Sequence, residues 1–206
     1  MKDSIITVVG GLTGIIVGLI ISATVFGTVR AAPAYEDQKH ADAGRAVSEF
    51  VQAINMTSAV VNKANQSLAL RRILLRYIDL DIIGLYTISS QSTTATEKKA
   101  FLGAFKAYFA DTYAAKLVKL KLKDFKIVDA RKVGKRDILV TTTILTSKGT
   151  TKLHWRVRAG KIIDISVAGI NLSRTLKNEF SSLLRSGGVN NLIKVLLNKV
   201  SSQVSI

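Results

Sequence analysis

The segment that most constrains the fold is residues 151–172, in which apolar and basic side chains alternate until a glycine interrupts the pattern. A period of two predicts a β-strand with one apolar face and one basic face. Residues 159–161 predict a turn, and residues 163–167 continue the alternation as a second strand. Asn171 and Ser173 are residue types that favour helix N-termini. The segment is therefore predicted to form a hairpin that leads directly into a helix.

Helical periodicity dominates the chain before this hairpin. Apolar residues at helical spacing predict helices from about residue 43 and over residues 68–77. Asp79 is a residue type that begins helices, and a short apolar segment follows it. Thr94 and Glu97 have the spacing of a capping box, in which each residue satisfies a backbone N–H of the other. A further helix, rich in aromatic residues, is therefore predicted after Thr94.

After this helix the spacing of apolar residues changes from helical to alternating, and later in the chain it becomes helical again. Residues 117–128 and 137–146 alternate and predict two strands, which with the hairpin make about four antiparallel strands joined by short turns. Residues 172–183 have helical spacing and end at the glycines 187–188, and residues 190–201 predict a last amphipathic helix. Helices, a meander and then helices predict an α+β domain in which a sheet packs against helices.

Composition narrows the classes of partner. The 30 Lys and Arg outnumber the 14 Asp and Glu, so the net charge is +16, which favours contact with a membrane, a nucleic acid or an acidic protein. The aromatic residues lie mainly in apolar stripes and are not interleaved with Lys and Arg, so nucleic acid is not the expected partner. The chain has no Cys, which excludes disulfides and thiolate metal sites. Its hydrophobic fraction of 48% is too high for a disordered chain.

The N-terminal segment predicts export. Residues 4–29 carry no charge, and small residues near Ala31 and Ala34 fit cleavage by signal peptidase. The uncharged run is also long enough to span a bilayer, so a retained anchor is the alternative. Either interpretation places the globular part outside the cytoplasm. The predicted organisation is a signal peptide or membrane anchor at residues 1–31, a linker at residues 32–41 and a globular domain at residues 42–203.

The sequence contains no pattern that predicts an enzyme. Walker A, HExxH, GxSxG and EF-hand motifs are all absent. His154 and Asp164 lie on neighbouring predicted strands and could form an acid–base dyad. The alternative is a surface histidine among arginines, because no nucleophile accompanies the pair.

Several short motifs, in a fixed order, resemble the MlaC family, whose members are periplasmic phospholipid-binding components of the maintenance-of-lipid-asymmetry system and are also called toluene-tolerance auxiliary proteins. The resemblance covers about residues 42–200. It is carried by His154-Trp155-Arg156, Asp164, Gly169-Ile170-Asn171-Leu172, Asn178-Glu179-Phe180, Gly187-Gly188-Val189-x-x-Leu192, Phe101-x-x-x-Phe105-x-x-Tyr108 and Tyr113-x-x-x-Leu117. Three segments depart from the family pattern, and the first is Tyr86-Thr87, which replaces the Leu-Gly expected before the polar linker. Gly160-Lys161-Ile162 replaces a tryptophan that usually precedes the aspartate, and Ala168-Gly169-Ile170-Asn171 replaces Glu-Gly-Val-Ser.

The resemblance implies an NTF2-like curved antiparallel sheet over helices, with lipid tails held between them. It implies a carrier without cofactor or catalysis, which takes phospholipid as cargo through the periplasm. Its implied partners are an outer-membrane lipoprotein complex and the MCE-domain subunit of an inner-membrane ABC transporter. The alternative is a membrane-tethered NTF2-like interaction domain that holds no lipid.

With this resemblance, inward-facing apolar residues become candidates for the lipid pocket. These candidates are Leu75, Ile78, Ile82, Ile83, Tyr86, Phe101, Phe105, Phe109, Val140, Ile144, Leu153, Trp155, Ile163, Ile165, Val167, Ile170 and Leu172. The basic face of the hairpin, with Lys152, Arg156 and Arg158, is the candidate surface for docking a partner.

Overall fold

The computed structural model describes residues 32–118, 123–146 and 149–204, and within these ranges the predicted hairpin is present. The described residues form five helices and a five-stranded antiparallel sheet. In chain order the elements are α1 (Ala32–Val60), α2 (Lys63–Tyr77), α3 (Leu80–Thr87), α4 (Ala95–Val118), β1 (Lys123–Val133), β2 (Asp137–Thr146), β3 (Gly149–Arg158), β4 (Lys161–Val167), β5 (Ile170–Asn171) and α5 (Leu172–Val204). The predicted α+β class is confirmed.

The first helix, α1, begins about eleven residues earlier than the sequence predicts. The residues predicted as a linker, 32–41, are helical in the structure, where α1 begins at Ala32. Pro33 does not prevent this, because in the first turn of a helix its missing N–H breaks no intrahelical hydrogen bond. The predicted signal peptide or anchor, residues 1–31, lies outside the described residues. Residues 37–206 form one of the two compact units into which the chain divides.

Two of the predicted helix starts are present in the structure, at Asp79 and at Thr94. The carboxylate of Asp79 accepts a hydrogen bond from the N–H of Ile82 (3.1 Å) at the start of α3. At the start of α4, the N–H of Thr94 donates to Glu97 Oε2 (2.9 Å) and the N–H of Glu97 donates to Thr94 Oγ1 (3.2 Å). The Glu97 carboxylate accepts hydrogen bonds from the N–H and from the hydroxyl of Thr94, and these two bonds hold its pKa below the usual value. The capping box is therefore confirmed.

α4 is longer than its periodicity predicts. It continues to Val118, whereas the sequence predicts a strand from Leu117, and β1 begins at Lys123. Alternating Leu and Lys residues begin at Leu117, but Ala114 and Ala115 before it are strong helix formers and carry the helix onward. The helix therefore includes two residues, Leu117 and Val118, that the alternation assigned to a strand.

The sheet is a meander in which the strands are ordered β1-β2-β3-β4-β5. Ala159 and Gly160 join β3 to β4 and both have positive φ (47° and 75°), as a type I′ hairpin turn requires. The free edge at the start of β4 is occupied by Ile78, which forms a parallel bridge with Ile162. The N–H of Asp79 donates to the carbonyl of Ile162 (2.8 Å), so the junction between α2 and α3 is fastened to this edge.

The helices cover one face of the sheet and enclose the core. Phe101 and Phe105 of α4 are fully buried, and Phe180 of α5 meets Phe105 edge-on at 6.3 Å. Arg71 of α2 forms an ion pair with the buried Asp111 of α4. Gly188 interrupts α5 where the sequence predicts a helix end, since its φ of 63° is one that glycine adopts without strain. α5 therefore bends and keeps both of its halves packed on the domain.

Candidate functional site

One face of the hairpin forms the wall of a cavity of about 640 Å³. The cavity lies between the sheet and the helices α1, α2 and α4, and the start of α5 closes one side. Its volume falls within the range of roughly 300–1,000 Å³ that is usual for ligand pockets. Among the residues that the structure describes, the lining is apolar except for the side chains of Tyr113, Lys116 and Thr175. Such a lining suits a ligand made mainly of hydrocarbon.

Antiparallel pairing builds the sheet wall. Trp155 lies opposite Ile165, and Leu153 lies opposite Val167, so all four side chains point to the same face. The indole of Trp155 is fixed on both sides: its Nε1–H donates to Thr142 Oγ1 (2.8 Å), and its ring meets Phe50 of α1 edge-on at 5.9 Å. The largest side chain of this wall therefore has a defined orientation.

An aromatic pair on α4 forms the opposite wall. Phe109 and Tyr113 are four residues apart, so they lie one above the other on the helix, and their rings stack at 4.3 Å. Burial raises the pKa of Tyr113 above its ordinary value, so its phenol is neutral at physiological pH. The Tyr113 side chain therefore brings no charge into the cavity.

The cavity opens to solvent beside the short strand β5. Ile170 and Val167 line the cavity and are 68% and 42% exposed, and Lys116 and Ala168 are exposed as well. Residues of the interior wall, such as Ile54 and Phe109, are buried. Thr175 Oγ1 donates to the carbonyl of Asn171 (3.0 Å), so this polar lining group already has a partner. The site is an apolar pocket whose exposed rim combines the apolar Val167, Ala168 and Ile170 with Lys116.

The structure brings only part of the predicted pocket together. The candidates that line the cavity are Ile78, Phe109, Leu153, Trp155, Ile165, Val167, Ile170 and Leu172. They come from the end of α2, from α4, from both hairpin strands and from the turn into α5. Their role in binding lipid stays a prediction.

The other candidates lie elsewhere. Four are buried in the solid core, where the helices pack directly on the sheet or on each other: Phe101, Phe105, Val140 and Ile144. Five lie around α3, outside the cavity: Leu75, Ile82, Ile83, Tyr86 and Ile163. Periodicity identifies an inward face, but which parts of that face are covered depends on how the helices cross it.

Some lining residues are absent from the sequence-based set. They are Phe50, Ile54, Leu74, Tyr113, Lys116, Leu117, Ala168 and Thr175. Phe50 and Ile54 belong to the apolar stripe of the first predicted helix, and Tyr113 belongs to the same aromatic face as Phe109. These stripes were available signals, but only the crossing of α1 and α4 over the sheet shows which end of each stripe reaches the cavity.

The basic face of the hairpin lies on the other side of the sheet. Arg156 Nε donates to Asp137 Oδ2 (2.7 Å), and Arg158 Nε donates to Asp137 Oδ1 (2.6 Å). Hydrogen bonding from Arg158, with the charges of both arginines, lowers the pKa of Asp137. Lys152 is exposed, and Arg156, Arg158 and Arg174 surround a smaller polar pocket of about 300 Å³. One carboxylate thus offsets part of the predicted docking charge.

Asp164 has a structural role that the sequence did not predict. Its carboxylate accepts hydrogen bonds from the N–H of Ser173 (3.0 Å), from Ser173 Oγ (2.8 Å) and from Asn171 Nδ2 (3.2 Å). It therefore caps α5 from the neighbouring strand, where the sequence predicts that Asn171 or Ser173 does so. The strand register pairs Asp164 with Arg156 and His154 with Ser166.

His154 contacts Thr141 and does not pair with Asp164. Its Nδ1 lies 3.1 Å from Thr141 Oγ1, so the structure does not form the dyad that the sequence left open. Within residues 32–118, 123–146 and 149–204, no cluster of three or more acidic or histidine side chains is placed to hold a metal ion. In the same ranges no helix combines the length and the apolar character that crossing a bilayer requires.

Comparisons with known proteins agree with this fold. The family model described as MlaC protein matches residues 45–198. A solved structure of a phospholipid-binding protein from Ralstonia solanacearum, in complex with a phospholipid, superposes with a TM-score of 0.62 at 21% sequence identity. That match covers 81% of this chain and 98% of the other. The resemblance seen in the sequence motifs is confirmed, and the chain belongs to the MlaC family.

Proposed function

We propose that this protein is a phospholipid carrier that holds the acyl chains of its cargo in the cavity between the helices and the β3–β4 hairpin. The observation that carries the proposal is the open cavity of about 640 Å³ with its almost wholly apolar lining. Exposing a CH₂ group to water costs about 0.8 kcal/mol, so two acyl chains cost on the order of 20 kcal/mol. A soluble carrier must cover these chains, and a cavity does so without any catalytic group.

Membership of the MlaC family supports this assignment. The structural neighbour from Ralstonia solanacearum, which is a phospholipid-binding protein, has the same fold. The rim adds a further argument, because the exposed side chains of Val167 and Ile170 give an acyl chain an apolar path between the cavity and the exterior.

The carrier would shuttle phospholipid between the outer and inner membranes, in the periplasm, as the soluble component of an ABC-type lipid transport system. Its partners would be an outer-membrane lipoprotein complex and the MCE-domain subunit of an inner-membrane transporter. Lys152, with Arg156 and Arg158, faces away from the cavity, so a partner could dock there while the lipid stays bound. The net charge of +16 would favour acidic partner surfaces.

Native mass spectrometry of the protein, purified from the compartment to which the cell delivers it, tests this proposal. Co-purified phospholipid at about one molecule per chain is the expected result. Protein that is empty, and that takes up no phospholipid from vesicles of phosphatidylethanolamine and phosphatidylglycerol, would refute the carrier.

The second candidate is a membrane-tethered interaction domain without lipid cargo, which the uncharged residues 4–29 favour. The N-terminal residue of the same preparation separates the two. A mature chain that begins near Ala32 and needs no detergent supports the carrier. A chain that retains residues 4–29, requires detergent and is empty supports the tether.

A further inference from the structure

Among the described residues that line the apolar cavity, Lys116 is the one with a charged side chain. It lies in the last turn of α4 and is exposed, so its ammonium group is at the opening and not in the interior. A lysine in the last turn of a helix interacts favourably with the helix dipole. That interaction accounts for a lysine anywhere in this turn, but not for one that borders the pocket.

Contacts within α4 hold the ammonium beside the cavity wall. Lys116 Nζ lies 4.7 Å from the centroid of the Tyr113 ring, in the position of a cation–π contact. The Tyr113 ring stacks in turn on Phe109, which is part of the interior wall. The positive charge therefore lies at the outer end of an aromatic stack that leads from the interior to the opening.

A lysine elsewhere on the same helix has a different environment. Lys106 pairs with Asp81 of α3 at 2.8 Å. In the part of the chain that the structure describes, no carboxylate forms an ion pair with Lys116. The ammonium at the opening is thus available to an anion that is brought there by something held in the cavity.

We propose that Lys116 binds the phosphate group of the lipid whose acyl chains occupy the cavity. The proposal rests on the carrier function and adds a selectivity to it. The cavity alone accepts any lipid with suitable chains, whereas Lys116 favours a lipid that carries a phosphodiester over one that ends in a hydroxyl. Charge-assisted contacts to phosphate supply this preference.

Competition between two lipids with identical acyl chains tests the proposal. Delipidated protein is offered equimolar dioleoylphosphatidylglycerol and dioleoylglycerol, and native mass spectrometry measures the ratio of the two bound lipids. Lys116→Gln should lower this ratio about three- to fivefold, which is what an exposed charge pair contributes. Gln has nearly the helix propensity of Lys, so the fold is unaffected. The matched control is Lys99→Gln, an exposed lysine of α4 that does not line the cavity.

Added salt tests whether the preference is electrostatic, and added free phosphate tests whether Lys116 binds the lipid's own phosphate. Raising sodium chloride from 20 mM to 500 mM should lower the wild-type ratio towards that of Lys116→Gln, because salt screens an exposed contact. Sodium phosphate of equal ionic strength should lower it no further if the phosphate that Lys116 binds is the lipid's own. A much larger loss in phosphate buffer would assign Lys116 to free phosphate and overturn the proposal.

The remaining outcomes separate this inference from the function on which it rests. A lipid ratio that is unchanged in Lys116→Gln, or that falls equally in Lys99→Gln, overturns the role of Lys116 and leaves the carrier intact. Wild-type protein that binds neither lipid overturns both.

Discussion

The two halves of α4 share one aromatic stripe, but the aromatic side chains of each half have different surroundings. Phe101 and Phe105 in the first half are fully buried and pack against helices, with Phe180 of α5 across from Phe105. Phe109 and Tyr113 in the second half line the cavity. All four residues are spaced at four-residue intervals, so the local sequence does not distinguish them. What differs is the neighbour: α3 and α5 close over the first half, whereas the second half faces the open side of the β3–β4 hairpin.

This difference predicts that the first half contributes mainly to stability and the second half mainly to lipid binding. A side chain in the closed half fills space that has no other occupant, so its removal leaves a void. A side chain in the open half borders a space that already exists, so its removal enlarges a cavity. Substitutions in the first half should therefore lower mainly the free energy of unfolding, and substitutions in the second half should weaken mainly lipid binding.

The largest effect is expected from Phe105→Ala. It should lower the free energy of unfolding by about 3–5 kcal/mol, because the fully buried ring leaves a cavity among packed helices. Phe109→Ala is the matched substitution one turn later and should cost only the transfer term, about 2 kcal/mol, with weaker lipid loading. Urea denaturation of lipid-free protein gives both values, and bound lipid must be removed because it adds stability by mass action. Equal losses for the two variants would contradict the comparison.

Filling the cavity should lower lipid loading and leave the stability nearly unchanged, which is the reverse of the effect expected for Phe105→Ala. Ile165→Trp on β4 places a large ring in the pocket opposite Trp155, and tryptophan is well suited to a strand. Lipid loading should fall at least about tenfold, or about 1.4 kcal/mol, with little change in the midpoint of thermal unfolding of lipid-free protein. Lys152→Trp, on the outer face of β3, is the control and should load normally. Normal loading of Ile165→Trp would remove this cavity as the lipid site.

The smallest effect is expected on the outer face of the sheet, away from both halves of α4. The folded-state pKa of Asp137 is lowered by Arg158 and Arg156, so its carboxylate adds stability that is complete above about pH 5 and is lost as the pH falls through the lowered pKa. Asp137→Asn should cost about 1 kcal/mol at pH 7 and less at pH 2–3. Unfolding in urea across this pH range measures the difference.

An exposed ion pair on a neighbouring strand supplies the control for that measurement. Asp129 lies 3.8 Å from Arg131, and both side chains are largely solvated. Asp129→Asn should change the unfolding free energy by only a few tenths of a kcal/mol at any pH. If Asp137→Asn is no more costly than Asp129→Asn at pH 7, the pair with Arg158 does not stabilise the fold.

Short stretches of sequence were enough to predict most of the secondary structure. The capping box at Thr94, the helix start at Asp79 and the hairpin turn at residues 159–160 depend on atoms a few residues apart, so their outcome is readable from short stretches. The prediction was wrong at the end of α4, where alternation at Leu117 favoured a strand and the helix continued. The residues predicted as a linker, 32–41, are helical and belong to α1.

Periodicity could say that Trp155, Val140 and Phe105 face inward, since burying apolar area is the dominant force in folding. It could not say that Trp155 borders a cavity while Val140 and Phe105 lie in solid core, because that depends on where α1, α4 and α5 cross the sheet. The same limit applies to Asp164, whose partner follows from strand register and not from its neighbours in sequence. A pocket is space that separate elements leave between them, so it is decided only when those elements are packed.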